Sequence, residues 1–488
     1  MNFMKFWAIA LALVLTLVLV GCNTSGSQEK TNPSNSTVET DEIPNEETSG
    51  KVEEELPEDP NKIISDSLER VGVINGTLYT SNGATCAVYS NQNYVLTNIV
   101  QNKTTQTTYV KVSVMDDFFV VTQKSLTDKN DFASINSTGV ISVDLEQTVP
   151  CEYAIINKIA KGYAVAYKLT EITENRDEAL SYITSNMFSI KPEEGDTFYK
   201  GEWCVIELAT GRKLEGLSGT AVPSFYLNGD VITARMTGHK DIRRTFSGKT
   251  IPEEANLLEN GCYIPNNENT CYTSHGVKLF DFEKGAQVVS VDDDCFMVGV
   301  MNKTTYKMQY TIVDTTGTAI SVSFDSRPTV YCGALVVHNN NVYTFDGTKI
   351  AEGSVSTIHR QGSFYWIQFK NRVLIVDLEY NAVLDLSGEA LHMDRNNFLI
   401  GKETENYKVT YYSVPQQEFV YQGTSVGTWL VQMKTEKGNH TIVNVLTDEV
   451  LISEYYVSSV QQDSAGNIYF VISENGQKVL YQLKNNMM

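Results

Sequence analysis

The segment Tyr310-Thr311-Ile312-Val313-Asp314-Thr315-Thr316-Gly317-Thr318-Ala319-Ile320-Ser321-Val322 is an apolar run that ends in an acid, turns through a glycine and becomes apolar again, the pattern of a β-hairpin. Variants of it recur as Val205-Ile206-Glu207-Leu208-Ala209-Thr210-Gly211-Arg212-Lys213-Leu214, Leu279-Phe280-Asp281-Phe282-Glu283-Lys284-Gly285, Val342-Tyr343-Thr344-Phe345-Asp346-Gly347 and Leu374-Ile375-Val376-Asp377. With the terminal acid as the mark, Asp281, Asp314, Asp346 and Asp377 follow one another at steps of 33, 32 and 31, and the weaker matches Ser413 and Asn444 continue at 36 and 31. A fixed step of this size marks a repeat fold, in which each unit buries its faces only by stacking on its neighbours.

Within one period the turn residues separate four short strands. One unit reads as Ala390 to Met393, Phe398 to Gly401, Lys408 to Ser413 and Glu418 to Tyr421, and the preceding one as Val355 to Ile358, Phe364 to Phe369, Val373 to Asp377 and Ala382 to Leu386. Four antiparallel strands per unit is the pattern of a β-propeller blade, with the recurring hairpin as its third and fourth strands. The loose motif of an apolar run, Asp, a short gap, Thr-Gly and a second apolar run resembles the repeats of quinoprotein (PQQ-like) and WD40/YVTN-type bacterial propellers, best at Ile206 to Leu214 and Ile312 to Ile320. The tryptophans that dock neighbouring quinoprotein blades are missing from these positions, so the resemblance implies the fold and no cofactor is expected.

Residues 63–488, less two stretches that break the pattern at about 170–201 and 237–274, allow about 45 residues per blade and so an all-β propeller of seven or eight four-stranded blades. An N-terminal strand near Val71 is expected to complete the last unit around Ile468 to Ile472 and Val479 to Leu483, because a closed ring leaves no sheet edge exposed. In the first third, Asn75-Gly76 and Asn82-Gly83 read as two-residue hairpin turns, and Phe132 to Asn136 as a strand. The first break contains Asn175-Arg176-Asp177-Glu178, a capping-box pattern, then Ala179, Leu180, Ile183, Met187 and Phe188 at helical spacing, which predicts one short helix.

The N-terminus is organised differently. Lys5, the apolar run from Phe6 to Val20 and the ending Leu19-Val20-Gly21-Cys22 resemble the lipobox signal peptide of bacterial lipoproteins, and the run is shorter than the roughly 20 residues of a spanning helix. That resemblance implies removal of residues 1–21 and a thioether-linked diacylglycerol on Cys22. From Asn23 to Lys62 there is no aromatic residue, and eleven acids stand against three lysines. Such a segment cannot bury enough apolar surface to offset its ordering entropy, so 22–62 reads as a lipidated, disordered acidic tether. A location on the extracytoplasmic side of the cell membrane follows as the expectation.

Net charge is −21, which sets the protein's own field against nucleic acid and makes that class of partner an unfit one. The second break holds the one dense basic cluster, His239, Lys240, Arg243 and Arg244, with His275 just beyond it, and these five are the candidate binding residues. It also holds Cys262 and Cys271. With a two-residue turn at Asn266-Asn267 they would face each other directly across a hairpin, in place for a disulfide. Cys86, Cys151, Cys204, Cys295 and Cys332 lie in or beside apolar strands and read as core. Asp292-Asp293-Asp294 lacks the alternating oxygen ligands and glycine of a calcium loop and reads as a solvated turn, so no metal is expected. No nucleophile elbow, phosphate loop, zinc-protease helix or sialidase-type turn is present, and no catalytic residue is assigned. The pattern fits a non-enzymatic, membrane-anchored binding or scaffold module for an envelope protein or glycan. The alternative is a polysaccharide hydrolase or lyase whose carboxylates meet in the propeller channel.

Overall fold

The computed structural model describes residues 61–484 except 127, 175–179, 181–197, 222, 389, 395–396, 405–407 and 464. The signal segment, nearly all of the tether and the helix expected after Asn175 lie outside the described residues. Among those described, the chain is a succession of short antiparallel strands with a single helix, Phe132–Ile135.

The strands form ten hydrogen-bonded sheets, the largest of which is two units fused through one long strand, Glu449–Gln462. Its first part pairs with His440–Asn444 and its second part with Ile468–Glu474, so the chain passes from one unit to the next without a break. Counting the fused pair as two, eleven units follow in chain order. The first is Thr77–Asn82, Thr85–Ser90, Asn93–Asn98 and Lys103–Thr104, and the second Lys111–Met115, Phe118–Thr122, Thr138–Ser142 and Gln147–Tyr153. The third comprises Ile155–Ala160, Tyr163–Thr173, Phe198–Glu207 and Lys213–Gly219, and the fourth Pro223–Asn228, Val231–Met236 and Ile242–Thr245. The fifth spans 256–281, the sixth 287–314, the seventh 329–352, the eighth 355–387, the ninth 391–422 and the tenth 424–455. In the eleventh, Ile468–Glu474 and Gln477–Leu483 are completed by Leu68–Ile74 from the start of the body, as the sequence predicts.

The count exceeds the seven or eight blades expected. The step of 31 to 33 residues between turn acids is the length of the unit itself, and allotting about 45 residues to each blade merged neighbours.

Consecutive units, the fourth and fifth excepted, pack through shared apolar clusters. Ala87 and Leu96 of the first meet Val112 and Phe119 of the second, Trp203 and Leu217 of the third meet Ile232 and Ala234 of the fourth, and Ile312 of the sixth meets Val336 of the seventh. At the end of the series Val471 and Leu480 of the eleventh unit share a cluster with Cys86 and Val88 of the first. A sheet covered on both faces needs apolar residues on both, and the central strands are accordingly continuous apolar runs: Val373, Leu374, Ile375 and Val376 are all buried. The fourth strand Ala382–Ser387 lies at the edge, and from Val383 onward it alternates.

The recurring hairpin has a simple cause. The Asp314 carboxylate accepts from the Thr316 and Thr318 amides at 2.8 and 3.0 Å and from the Thr316 hydroxyl at 2.6 Å, which turns the chain back after the third strand so that Ala319 bridges Val313. Asp377 does the same with the Glu379 and Asn381 amides, Asp346 with that of Thr348, and Asn444 with that of Leu446. Gly317 sits at φ +81°, where a Cβ would come within 2.8 Å of Phe280 in the neighbouring unit. Asp281 does not belong to the set. It ends a fourth strand, not a third, and is held by Lys278 and Thr270 side chains.

Three other local readings are corrected. Asn75-Gly76 joins the eleventh unit to the first and is no hairpin turn, because its flanking strands pair in different sheets. Phe132 to Asn136 is the short helix, capped by Asp131, whose carboxylate accepts from the Ser134 amide. Residues 237–274 do not interrupt the repeat: they supply Ile242–Thr245 of the fourth unit and three strands of the fifth.

Candidate binding surfaces

The basic cluster lies at the seam between the fourth and fifth units. The apolar clusters on either side, one around Ile232 and Ala234 and the other around Leu258 and Phe280, share no member. Polar contacts join these two units. Arg243 lies on the strand Ile242–Thr245, opposite Thr233, and its Nη1 donates to the Ala255 carbonyl at 2.9 Å. Arg244 donates to the Arg243 carbonyl, and its guanidinium fills the space beside Gly216 of the third unit. His275 Nε2 lies 3.4 Å from Asp230 Oδ2, and Lys249 Nζ donates to the His275 carbonyl. Gly229 packs on the backbone of Asn260 so closely that no Cβ fits.

The five candidate residues therefore divide. Arg243 and Arg244 are half-buried and engaged in the seam, whereas His239, Lys240 and His275 are exposed. Lys240 pairs with Glu253 at 3.0 Å, a hydrogen bond that raises its pKa. Beside it Arg235 forms a two-pronged contact with Asp241 and lies 5.0 Å over the Tyr226 ring. Local carboxylates thus answer much of the positive charge, and what remains outward is a mixed polar ridge with one aromatic ring.

Cys262 and Cys271 are both buried, in one cluster with Leu258, Phe280 and Phe296, and stand as free thiols. The turn runs from Pro265 to Glu268, with Asn267 at φ +66°, but Tyr263 pairs with Tyr272. The register is thus two residues away from the one that sets the cysteines directly opposite, and they meet diagonally. Their thiols still hydrogen-bond. This bond holds the Cys271 proton on its sulfur and moves its pKa up, while the acceptor Cys262 is moved down. Of the other cysteines, Cys86, Cys204 and Cys295 are buried and Cys151 and Cys332 half-buried.

A second surface was not anticipated from the sequence. In the first unit Ser90 pairs with Asn93 around a two-residue turn, Asn91-Gln92, whose φ angles are 49° and 65°. Tyr89 pairs directly with Tyr94, and a bulge between Leu78 and Thr80 brings Tyr79 to the same place. The Tyr79 and Tyr94 rings are 4.7 Å apart and those of Tyr89 and Tyr94 5.1 Å, all tilted. Tyr79 is 57% and Tyr89 42% exposed. Partial burial and the two neighbouring phenols raise the Tyr94 pKa. The signal available in the sequence was an absence of acids: from Val71 to Met115 there is no Asp or Glu, in a chain that has 59.

Among the described residues no group of three or more His, Cys, Asp and Glu is placed to hold a metal ion, and no helix is long and apolar enough to cross a membrane. Two open cavities flank the second unit. One of about 380 Å³ is lined by Lys111, Lys124, Ser134 and Asn157, and one of about 560 Å³ by Thr104, Thr107, Tyr109 and Asp144.

No protein-family profile and no curated protein matches the chain. Solved structures similar to it include the computationally designed Ika8 protein, at 10% identity and TM-score 0.22 over 70% of this chain and 99% of that one. BamB from Moraxella catarrhalis is similar at 8% identity and TM-score 0.24, over 76% and 96% of the two chains. A eukaryotic initiation factor is similar at 10% identity and TM-score 0.27, over 72% and 86%. Superpositions this loose carry no argument about ligand or partner.

Proposed function

We propose that this chain is a lipid-anchored binding module on the extracytoplasmic side of a cell membrane, with Cys22 as the lipidated residue and a propeller-type ring as its body. Its partner is an envelope protein or glycan. The observation that carries this reading is how the body begins. Ile63–Ile64 pairs with Ile452 and Ser453 of the tenth unit, and Leu68–Ile74 then closes the eleventh. A tether ending at residue 62 would thus pull on two packed units. Shared apolar clusters at each junction from the fifth unit through the eleventh to the first and on to the fourth, with polar contacts between the fourth and fifth, support the ring.

The exposed ridge of His239, Lys240 and His275, with Arg235, is the proposed contact for an acidic partner, and Arg243 and Arg244 support it from below. In the fifth unit, Cys262 and Cys271 are proposed to form a disulfide after export by exchange with an extracytoplasmic disulfide donor, each losing its thiol proton while the donor is reduced to two thiols.

Capture by the detergent-extracted full-length protein tests the binding role. Lys240→Ala combined with Arg235→Ala is expected to lose an acidic envelope component that the wild type retains, at an unchanged melting temperature, since exposed ion pairs contribute only about 0–1 kcal/mol. Equal retention by both proteins counts against the ridge, and retention of nothing by the wild type counts against the module.

A further inference from the structure

We infer that the tyrosine cluster of the first unit is a binding site for a neutral oligosaccharide, with Tyr79, Tyr89 and Tyr94 as the stacking surface. This deepens the binding-module reading and rests on it. Three independent features converge on one end of this sheet.

The first is the rings. Three tyrosines from three consecutive strands touch at 4.7 and 5.1 Å, and two of them keep about half of their surface in water. Aromatic side chains at this degree of exposure present an apolar face with a polar tip. Pyranose rings offer the matching chemistry, a face of C–H groups bordered by hydroxyls. The tilt of the rings makes a faceted surface, which suits successive sugars of a chain better than a flat ligand.

The second is the bulge and the turn. A bulge at Tyr79 spoils the pairing of Thr77–Asn82 with Thr85–Ser90, and its effect is to bring that side chain to the other two. Asn91 and Gln92 hold left-handed backbone angles that Gly usually takes in such turns, and Gln is an unfavourable choice there. These two residues set amide side chains, each a donor and an acceptor, at the turn next to the Tyr89–Tyr94 pair. Hydroxyl groups of a sugar need such partners.

The third is charge. The 45 residues from Val71 to Met115 carry no acid and only two lysines, Lys103 and Lys111, while the chain as a whole carries −21. An acidic glycan would have to approach this body against its field, and the stretch offers only Lys103 and Lys111 to reward it. A cationic ligand would find no carboxylate within this stretch. An uncharged, hydroxyl-rich ligand meets neither penalty.

The test is titration of the detergent-extracted full-length protein with four neutral hexasaccharides, namely cello-, malto-, xylo- and N-acetylchitohexaose, and with hexagalacturonate as the anionic counterpart. At least one neutral chain is expected to bind, and hexagalacturonate to bind none or more weakly. Tyr79→Ala and Tyr89→Ala should each weaken the interaction about tenfold, and Tyr79→Phe, which keeps the ring, less than about threefold. Melting temperatures of the variants keep loss of fold separate, and Tyr79, at the bulge, is the safer of the two Ala positions. The site is overturned if none of the neutral chains binds, if hexagalacturonate binds best, or if the folded Ala variants bind like wild type. Any of these outcomes with partner capture intact removes the tyrosine site alone. Failure of capture by the wild type removes the binding-module reading itself.

Discussion

Asp314, Asp346 and Asp377 show how a single side chain can set the period of a repeat. Each carboxylate accepts hydrogen bonds from its own turn, chiefly from Thr316, Thr344 and Asn381 respectively, and all three are held below the usual Asp pKa. A carboxylate whose folded pKa is depressed stabilises fully above its unfolded pKa, 3.8 for an aspartate, and loses that contribution as pH falls through the folded value. The melting temperature should therefore drop more steeply below about pH 4 in the wild type than in a triple Asp→Asn variant, measured by thermal denaturation across pH. Gly317→Ala should cost about 1–2 kcal/mol, because it places a Cβ at positive φ and against Phe280. Denaturant unfolding checks this. The turn acids were legible in the sequence because the hydrogen bonds that select them are local. Asp281 misled because spacing alone cannot tell a third strand from a fourth, and the tyrosine cluster was missed because its rings come together through a bulge that no local pattern announces.

Strand positions were read well wherever both faces are buried, since a continuous apolar run bounded by turn residues has few alternatives. In the eighth unit Val355–Gln361, Phe364–Phe369, Arg372–Asp377 and Ala382–Ser387 match the expected strands to within a few residues. Ile375 and Val373 are buried there, and Ile375→Ala is expected to cost about 2–5 kcal/mol by equilibrium unfolding. The stretch 237–274 was misread as a break because its seam is polar. Arginines that hold one unit to the next look, in sequence, like a patch offered to a ligand. Arg243→Ala should lower stability by about 1–3 kcal/mol, through the lost bond to the Ala255 carbonyl, whereas Lys240→Ala should leave the melting temperature nearly unchanged. A comparison of the two by thermal melting separates seam from surface. The short helix Phe132–Ile135 was read as a strand because four residues are too few for a helical period to show.

At the scale of the whole molecule, the N-terminal strand Leu68–Ile74 pairs with Gln477–Leu483, so residues far apart in the chain finish one sheet. The need to satisfy a sheet edge made this pairing predictable. The number of units was not, because each contributes the same local pattern and the step between marks is the only measure of its length. Deleting residues 61–74 should expose the Gln477–Leu483 amides and speed their hydrogen exchange, with smaller effects near Gln287–Ser290 on units remote in the chain. The membrane anchor is the premise that gives the body its place and its partners, and it rests on Leu19-Val20-Gly21-Cys22. Mass analysis of the N-terminal peptide of the membrane-extracted protein tests it without intermediaries. A mature chain that begins at Cys22 with a diacylglycerol on its sulfur is expected, and a chain that retains Met1, or begins at Cys22 with a free thiol, would rule the anchor out.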